Sequence, residues 1–300
     1  MAAYHTPVLL TNCMEALRIR HDGIYADATF GGGGHSREIL GRITTGKLFA
    51  FDCDEDALKN RIDDSRFVLI NQNFRELKFF LHKYGVTQID GLLADLGVSS
   101  HQLDSPGRGF SSRFDSELDM RMDKRRNKLT AASLLNNYPE NKLKEIFSRH
   151  GEIKNAGRLA KSIVIKGKQR IRTVNELKKA IEECVEKGNE NQYCAKMFQA
   201  LRIEVNDELN ALKDLLLQAD EMLKPGGRIA VISYHSLEDR LVKQFFRTGK
   251  FRGEAEKDLY GNVQRGLKMI NAKPIVPGTD EIKQNSRARS AKLRVAEKET

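Results

Sequence analysis

The stretch Asp27-Ala28-Thr29-Phe30-Gly31-Gly32-Gly33-Gly34-His35-Ser36 decides the fold of this 300-residue chain. It follows a short apolar run and precedes a helical pattern, so we predict a turn that joins a strand to a helix. Glycine accepts positive φ and has no Cβ, which lets a ligand rest against backbone N–H groups where the next helix begins. The stretch therefore indicates a site for a nucleotide-like ligand, with a plain flexible turn as the alternative.

Asp52 comes directly after the next apolar run, Lys47–Phe51. An acid roughly 20 residues after a glycine turn is where doubly wound folds bind the ribose hydroxyls of a nucleotide. Sites for S-adenosylmethionine and for dinucleotides share this order of elements. The third glycine of the dinucleotide fingerprint is replaced by Ser36 in one register and by Arg37 in the other, which argues against NAD and FAD. An S-adenosylmethionine site and a nicotinamide oxidoreductase both stay open here, and the missing glycine disfavours the second.

The first hundred residues alternate between apolar runs typical of buried strands and helical patterns. This alternation predicts an α/β fold with a mostly parallel, Rossmann-like sheet covered by helices on both faces. The predicted strands are 24–29, 47–51, 67–71 and 89–94, and the predicted helices are 36–40, 55–62 and 74–84. The alternation stops near residue 103 and returns with a strand at 228–234, a helix at 237–246 and a strand at 291–296.

Composition excludes several classes of protein. No run of about 18 apolar residues predicts a membrane span, and the first residues lack a basic segment followed by an apolar one, so we expect a cytoplasmic protein with no membrane partner. The four cysteines form no Cys-x-x-Cys pair and have no histidine at zinc spacing, which predicts free thiols and no metal site. A divalent ion has no dedicated cluster of ligands in this sequence.

Positive charge is concentrated in one segment. Residues 108–179 hold 19 Lys and Arg against 8 Asp and Glu, whereas the whole chain has a net charge of +10. A concentration of Lys and Arg is typical of proteins that bind a polyanion, since phosphates attract these residues and release counterions on binding. The alternative is a solvated basic face without a partner. Over 130–186 the same region shows helical apolar spacing and no obvious strand.

A long helix is predicted after this basic region. Its apolar stripe runs from Phe198 to Leu216, and Pro225-Gly226-Gly227 is expected to end it. We therefore expect a helical domain inserted into one α/β domain. The predicted segments are the first part of the core over 1–104, an inserted helical domain over 105–195 that would bind the polyanionic partner, and the second part of the core over 196–300.

Asp95 ends the fourth predicted strand, at the sheet edge where doubly wound folds bind ligands. An aspartate at the end of a strand is often only a turn or helix-capping residue. Its place in line with Gly33 and Asp52 favours a functional role instead.

Five separated motifs give the sequence a specific resemblance. They are Asp27–Ser36, Asp95-Leu-Gly-Val-Ser-Ser100 with Gln102-Leu-Asp104, Leu118-Asp-Met-Arg-Met-Asp123, Phe198-Gln-Ala-Leu-Arg-Ile203, and Ser233-Tyr-His-Ser-Leu-Glu-Asp-Arg240. In this order they resemble the bacterial 16S rRNA cytosine-N4 methyltransferase family, also called RsmH or MraW. The resemblance extends from His5 to about Glu297.

The resemblance implies a class I S-adenosylmethionine-dependent methyltransferase with an inserted helical domain. It implies methylation of the exocyclic N4 of one cytidine in the decoding region of 16S rRNA, within the small ribosomal subunit. By motif match the cofactor-binding residues would be Gly33, Gly34 and His35 at the methionine end, Asp52 at the ribose, Phe74 at the adenine, and Asp95 and Gln102 at the adenine edge and the reactive side. Without the resemblance, Phe74 would be interpreted as a core aromatic.

The expected catalytic residues are Asp95, Ser99 and His235. The cytosine amino group is a weak nucleophile, so the reaction needs alignment with the methyl group and an acceptor for the N4 proton. We expect Asp95, or a backbone carbonyl after it, to be that acceptor, with Ser99, Ser100 and His235 lining the base pocket. A purely structural His235 is the alternative. Phosphate contacts are predicted for Arg108, Arg113, Arg121, Arg125 and Arg126.

Two other functions stay open at this point. A nicotinamide oxidoreductase is disfavoured by the missing third glycine. A non-catalytic RNA-binding protein that has kept a nucleotide pocket is disfavoured by the joint presence of the glycine turn, Asp52 and Asp95. The oligomeric state, with a dimer among the options, is not decided by the sequence.

Overall fold

Seven strands form one sheet in this computed structural model, which describes residues 7–166, 170–256, 258, 260 and 265–299. The strands are β1 (Ile24–Asp27), β2 (Lys47–Phe51), β3 (Phe67–Ile70), β4 (Ile89–Asp95), β5 (Leu223–Ser233), β6 (Leu267–Met269) and β7 (Lys292–Lys298). Their order is β3-β2-β1-β4-β5-β7-β6. Neighbours among β1 to β5 are parallel, whereas β7 is antiparallel to β5 and β6. The α/β fold predicted from the sequence is confirmed.

Alternate residues of the central strands pack into apolar layers on opposite faces of the sheet. Phe49 of β2 and Leu92 of β4 belong to one layer. Their chain neighbours Leu48 and Leu93 belong to the other. Because both faces are covered, the strand sequences are continuous apolar runs rather than alternating ones. The polar residues therefore collect at the carboxyl ends of the strands, where ligands bind in this architecture.

Twelve helices accompany the sheet in the part of the chain that the structure describes. They are α1 (Leu10–Leu17), α2 (Gly34–Arg42), α3 (Leu77–Lys83), α4 (Ser100–Asp104), α5 (Ala131–Asn137), α6 (Glu140–Arg149), α7 (Ala156–Lys166), α8 (Val174–Ile181), α9 (Glu190–Asn206), α10 (Glu208–Met222), α11 (Ser236–Thr248) and α12 (Thr279–Gln284). Short 3₁₀ helices cover Glu55–Asn60 and Phe74–Glu76, so the α-helix predicted over 55–62 is a tighter turn. Within the described residues, no helix combines the length and the apolar character needed to cross a membrane.

The described residues fall into two compact units. Those within Met1–Gly97 and Leu209–Thr300 form the sheet unit, and those within Val98–Glu208 form the helical unit. The helical unit has its own apolar core, which includes Leu201 and Val205 of α9. For this reason the unit extends past residue 195, where the sequence placed the end of the inserted domain.

The single long helix predicted through Phe198 and Leu216 is wrong, because Asp207 divides it into α9 and α10. Asp207 has φ 51° and ψ 40°, and its N–H donates to the carbonyl of Ile203. A short polar side chain tolerates this left-handed conformation better than most residues do. α10 ends at Met222, and Pro225-Gly226-Gly227 lies within β5 rather than at a helix terminus.

Candidate active site

The glycine turn is held by Asp27, the last residue of β1. One carboxylate oxygen of Asp27 accepts the Ser36 hydroxyl at 2.7 Å, and the other accepts the N–H of Thr29 at 3.0 Å. Asp27 is 1% exposed, and burial raises the pKa of its carboxyl. These two bonds tie the end of β1 to the first turn of α2, so the backbone between them is fixed.

Two residues in this turn have the backbone conformation that glycine favours. Gly31 has φ +50° and Gly33 has φ +74°, which is the left-handed region that favours glycine. A Cβ on Gly33 would lie 2.8 Å from the Phe30 ring, which is closer than side chains pack. A Cβ on Gly31 would meet no atom within 4 Å, so the turn is open on that side. The turn therefore leaves room for a ligand beside its backbone.

Gly34 and His35 begin α2 at the same turn. A Cβ on Gly34 would collide with the ring of Pro7. His35 is buried, and its Nε2 lies 3.0 Å from the carbonyl oxygen of Val8. Since a carbonyl only accepts, Nε2 carries the proton, and Nδ1 is the nitrogen that faces the carboxyl edge of the sheet.

Asp52 follows β2 and contacts the glycine turn directly. Its Oδ2 accepts the N–H of Gly31 at 2.8 Å, and its Oδ1 accepts the N–H of Asp54 at 2.8 Å. Burial raises the pKa of Asp52 to about 6, although both hydrogen bonds act in the opposite direction. At neutral pH Asp52 is therefore mainly a carboxylate, with lone pairs available to ribose hydroxyls.

Asp95 ends β4 and lies close to the turn. Its N–H donates to the Thr29 hydroxyl at 2.7 Å, its Oδ1 accepts the Tyr234 hydroxyl at 2.8 Å, and its Oδ2 lies 3.8 Å from His35 Nδ1. Burial raises the pKa of Asp95 to about 6, and the His35 and Tyr234 groups oppose that rise. The sheet unit thus brings Asp95 and His35 together, as it does Asp52 and the glycine turn.

His235 caps the start of α11. Its Nδ1 lies 3.4 Å from the N–H of Glu238, and its Nε2 lies 3.2 Å from Glu238 Oε1. The other carboxylate oxygen of Glu238 accepts the N–H of Tyr234 at 3.0 Å. Both ring nitrogens therefore face Glu238, which is the arrangement of a capping residue. The catalytic role of His235 stays a prediction.

Three predicted pocket residues that follow Asp95, namely Ser99, Ser100 and Gln102, lie in the helical unit, where Ser100 is the first residue of α4. Ser99 and Gln102 form a capping box at the start of α4: the N–H of Ser99 donates to the Gln102 side chain at 3.0 Å, and the N–H of Gln102 donates to the Ser99 hydroxyl at 3.2 Å. This bond pattern explains their spacing without a ligand. Their roles toward the base and the cofactor stay predictions.

Phe74 begins the short 3₁₀ helix that follows β3 in the sheet unit. The preceding Asn73 caps this helix by accepting the N–H of Arg75. The Phe74 ring is partly buried and packs against the apolar layer that contains Phe49. Both the core role and the adenine-binding role are compatible with this position, so the latter stays a prediction.

The five arginines predicted to contact phosphates divide into two groups. Arg108 is 7% exposed and donates to the carbonyl of Arg121, while Arg121 donates to both carboxylate oxygens of Asp119 at 2.6 and 3.0 Å. These two guanidinium groups stabilise the unit itself, so the phosphate contacts predicted for them are not supported. Arg113, Arg125 and Arg126 are exposed.

Sequence reasoning gave no role to Asp27, Thr29 or Tyr234, although each contacts a predicted site residue or fixes the turn. Asp27 is the last residue of β1, Thr29 follows β1 by two residues, and Tyr234 directly follows β5, so all three lie at the carboxyl edge of the sheet. Their polar side chains directly after predicted strands could have indicated a place in the site, because the carboxyl ends of parallel strands share one edge of the sheet.

The sheet order with one reversed strand, the glycine turn after β1 and the acid after β2 define a class I S-adenosylmethionine-dependent methyltransferase fold. The chain belongs to the MraW methylase family, whose model matches residues 2–299. Three relatives, each called ribosomal RNA small subunit methyltransferase H, match it over nearly their whole length. The relatives from Christiangramia forsetii and Flavobacterium johnsoniae are 54% and 56% identical to this chain over 297 residues, and each match covers 98% of this chain and 98% of the relative. The relative from Cytophaga hutchinsonii is 53% identical over 302 residues, which covers 99% of this chain and 100% of the relative. The family resemblance expected from the sequence is confirmed.

Proposed function

We propose that this chain transfers the methyl group of S-adenosylmethionine to the exocyclic N4 of one cytidine in the decoding region of 16S rRNA, in the small ribosomal subunit. The observation that carries the proposal is the Asp95 carboxylate, fixed at the end of β4 beside His35 and the glycine turn. Family membership and the names of the full-length relatives support the substrate class. Since the substrate is ribosomal RNA, the reaction would take place in the cytoplasm.

The residues of the sheet unit fit the cofactor. The turn is open beside Gly31, and Asp52 offers carboxylate lone pairs at the neighbouring position. Asp52 would bind the ribose, Gly33, Gly34 and His35 the methionine end, and Phe74 the adenine. When bound, S-adenosylmethionine supplies a methyl group made electrophilic by its sulfonium. The family assignment decides against the nicotinamide alternative.

Asp95 would act as the proton acceptor. The N4 lone pair of cytosine is delocalised into the ring, so orientation of the amino group contributes most of the rate. Asp95 Oδ2 would take the proton that N4 loses when N4 receives the methyl group and the cofactor leaves as the neutral thioether. A carboxyl with a pKa of about 6 is mostly ionised at pH 7 and is matched to this task better than an ordinary aspartate.

The helical unit would bind the RNA backbone. Arg113, Arg125 and Arg126 are exposed in a segment with a large excess of positive charge. Such residues contribute affinity through phosphates and without sequence specificity. The target base must leave its stack to be methylated, which costs a few kcal/mol that backbone contacts help to offset.

Nucleoside analysis of rRNA from cells lacking this chain tests the proposal. We expect N4-methylcytidine in the decoding region to disappear, to return with the wild-type chain, and to stay absent with Asp95→Asn. Asp90→Asn on the same strand is the matched control, because Asp90 accepts hydrogen bonds at the opposite end of β4. An unchanged nucleoside profile in the deletion would contradict the proposal.

A further inference from the structure

Tyr234 is held at both its backbone and its hydroxyl. It follows the last residue of β5, and its N–H donates to Glu238 Oε2 at 3.0 Å. Its hydroxyl donates to Asp95 Oδ1 at 2.8 Å. The ring lies against Gly97, where a Cβ would come within 3.1 Å of it. Gly97 has φ +101°, so a glycine there both permits the backbone turn and leaves space for the ring.

This contact makes the two oxygens of Asp95 different. Oδ1 is occupied by the Tyr234 hydroxyl, whereas Oδ2 accepts no hydrogen bond from the described residues and faces His35 Nδ1 at 3.8 Å. His35 donates to the Val8 carbonyl through Nε2, and its Nδ1 lies farther from Oδ2 than a hydrogen bond allows. The carboxylate therefore keeps one oxygen for an incoming donor.

We propose that Tyr234 is a positioning residue for methyl transfer, which holds the Asp95 carboxylate so that Oδ2 alone is presented to the acceptor nitrogen. The inference rests on the proposed function, because Asp95 must take the N4 proton for its orientation to matter. Tyr234 itself stays a neutral donor, since burial raises the pKa of its phenol well above the usual range. It acts through Asp95 and not on the substrate.

The titratable groups that face Asp95 influence its pKa and therefore the pH at which it loses its charge. They are Cys13 of α1, Asp27 of β1, His35 of α2, Tyr234 after β5 and Glu238 of α11. Burial, Asp27 and Glu238 raise the pKa of Asp95, whereas His35 and the Tyr234 hydrogen bond lower it. Removing the hydroxyl takes away one stabilising contact to the charged form, so the pKa of Asp95 must rise further.

Tyr234→Phe tests the inference, because it removes the hydroxyl and keeps the ring against Gly97. The matched control is Tyr25→Phe: the Tyr25 hydroxyl is also buried and accepts the N–H of Arg20 at 2.7 Å, but it lies at the start of β1. The first measurement is a ¹³C NMR titration of the Asp95 carboxyl in the protein without cofactor, with the signal assigned by its loss in Asp95→Asn. A hydrogen bond to a charged group is worth enough to move the midpoint upward by about one pH unit in Tyr234→Phe. Tyr25→Phe leaves the midpoint in place.

The second measurement is the pH dependence of methyl transfer to small ribosomal subunits. The acid limb of Tyr234→Phe should shift with the Asp95 midpoint, which lowers the rate about fivefold at pH 6 and less than about twofold at pH 8.5. An unmoved NMR midpoint, or a rate loss equal at every pH, would overturn the inference. Absence of methyl transfer by the wild-type chain would instead overturn the proposed function and leave the NMR result standing.

Discussion

The carboxyl edge of the sheet and the surface of the helical unit handle charge in opposite ways. At the sheet edge, Asp27, Asp52 and Asp95 have specific donors to their carboxylates, and burial raises the pKa of each. In the helical unit, the large basic excess is carried mostly by exposed side chains such as Arg125 and Arg126. The first region fixes a few charges in space, whereas the second presents many charges to solvent.

The difference indicates how substitutions in each region should affect function. Proton transfer at one atom depends on geometry, so losing one hydrogen bond or one oxygen has a large effect. Attraction to a phosphate backbone depends on the number of charges and falls with salt, so each residue contributes a small share. Substitutions at the sheet edge should act sharply, and those on the helical unit gradually.

The largest effect is expected for Asp95. Asp95→Asn keeps an acceptor for Tyr234 but removes the base, so the rate of methyl transfer should fall by about a thousandfold. Single-turnover rates with saturating cofactor measure this. Asp90→Asn is the control for a lost carboxylate on the same strand. Full turnover by Asp95→Asn, with Asp95→Ala only weakening cofactor binding, would show that Asp95 is not the proton acceptor.

Asp52→Ala should weaken cofactor binding without a comparable change in the rate at saturation. The loss of hydrogen bonds to a charged group predicts an affinity about 10- to 100-fold lower, measured by calorimetry with S-adenosylhomocysteine. Because the pKa of Asp52 is about 6, wild-type affinity should also fall as the pH drops from 7 to 5, where the carboxylate becomes protonated.

Asp54→Asn is the matched control for this variant. Asp54 is a buried acid two residues further along, and it caps the 3₁₀ helix Glu55–Asn60. It should lower stability and leave the affinity at pH 7 intact; because the charge of Asp54 raises the pKa of Asp52, the fall in affinity should move to slightly lower pH. If Asp52→Ala binds the ligand as tightly as the wild type, Asp52 does not contribute to cofactor binding.

Reversing two charges on the helical unit should have a smaller effect. Arg125→Glu with Arg126→Glu is expected to weaken subunit binding about tenfold and to reduce the slope of log affinity against log salt by about 2. The control reverses Lys187 and Lys196, which are exposed in the same unit but outside 108–179. Equal salt slopes for the two double variants would mean that charge in 108–179 has no special role.

The smallest effect is expected for Ser99. Ser99→Ala removes one half of the α4 capping box and should lower the free energy of unfolding by about 1 kcal/mol, which thermal or urea unfolding measures. Ser99→Thr keeps the cap. A rate loss in Ser99→Ala far larger than its loss of stability would favour the base-pocket role over the capping role.

The sequence predicted those features that depend on local pattern. The glycine turn, Asp52 and Asp95 followed from spacing along alternating strands and helices, because parallel strands bring their carboxyl ends to one edge. The break at Asp207 left no glycine or proline signal, so the helical periodicity ran through it. The burial of Arg108 and the Tyr234–Asp95 bond, which joins residues 139 positions apart, depend on tertiary packing that no local pattern encodes.

The decisive measurement is methyl transfer from labelled S-adenosylmethionine to purified small subunits from cells lacking this chain. We expect the wild-type protein to transfer label into N4-methylcytidine of 16S rRNA, and Asp95→Asn to transfer none at matched subunit binding. Tight subunit binding by the wild-type chain with no transfer of label would contradict a catalytic role and favour a non-catalytic RNA-binding protein.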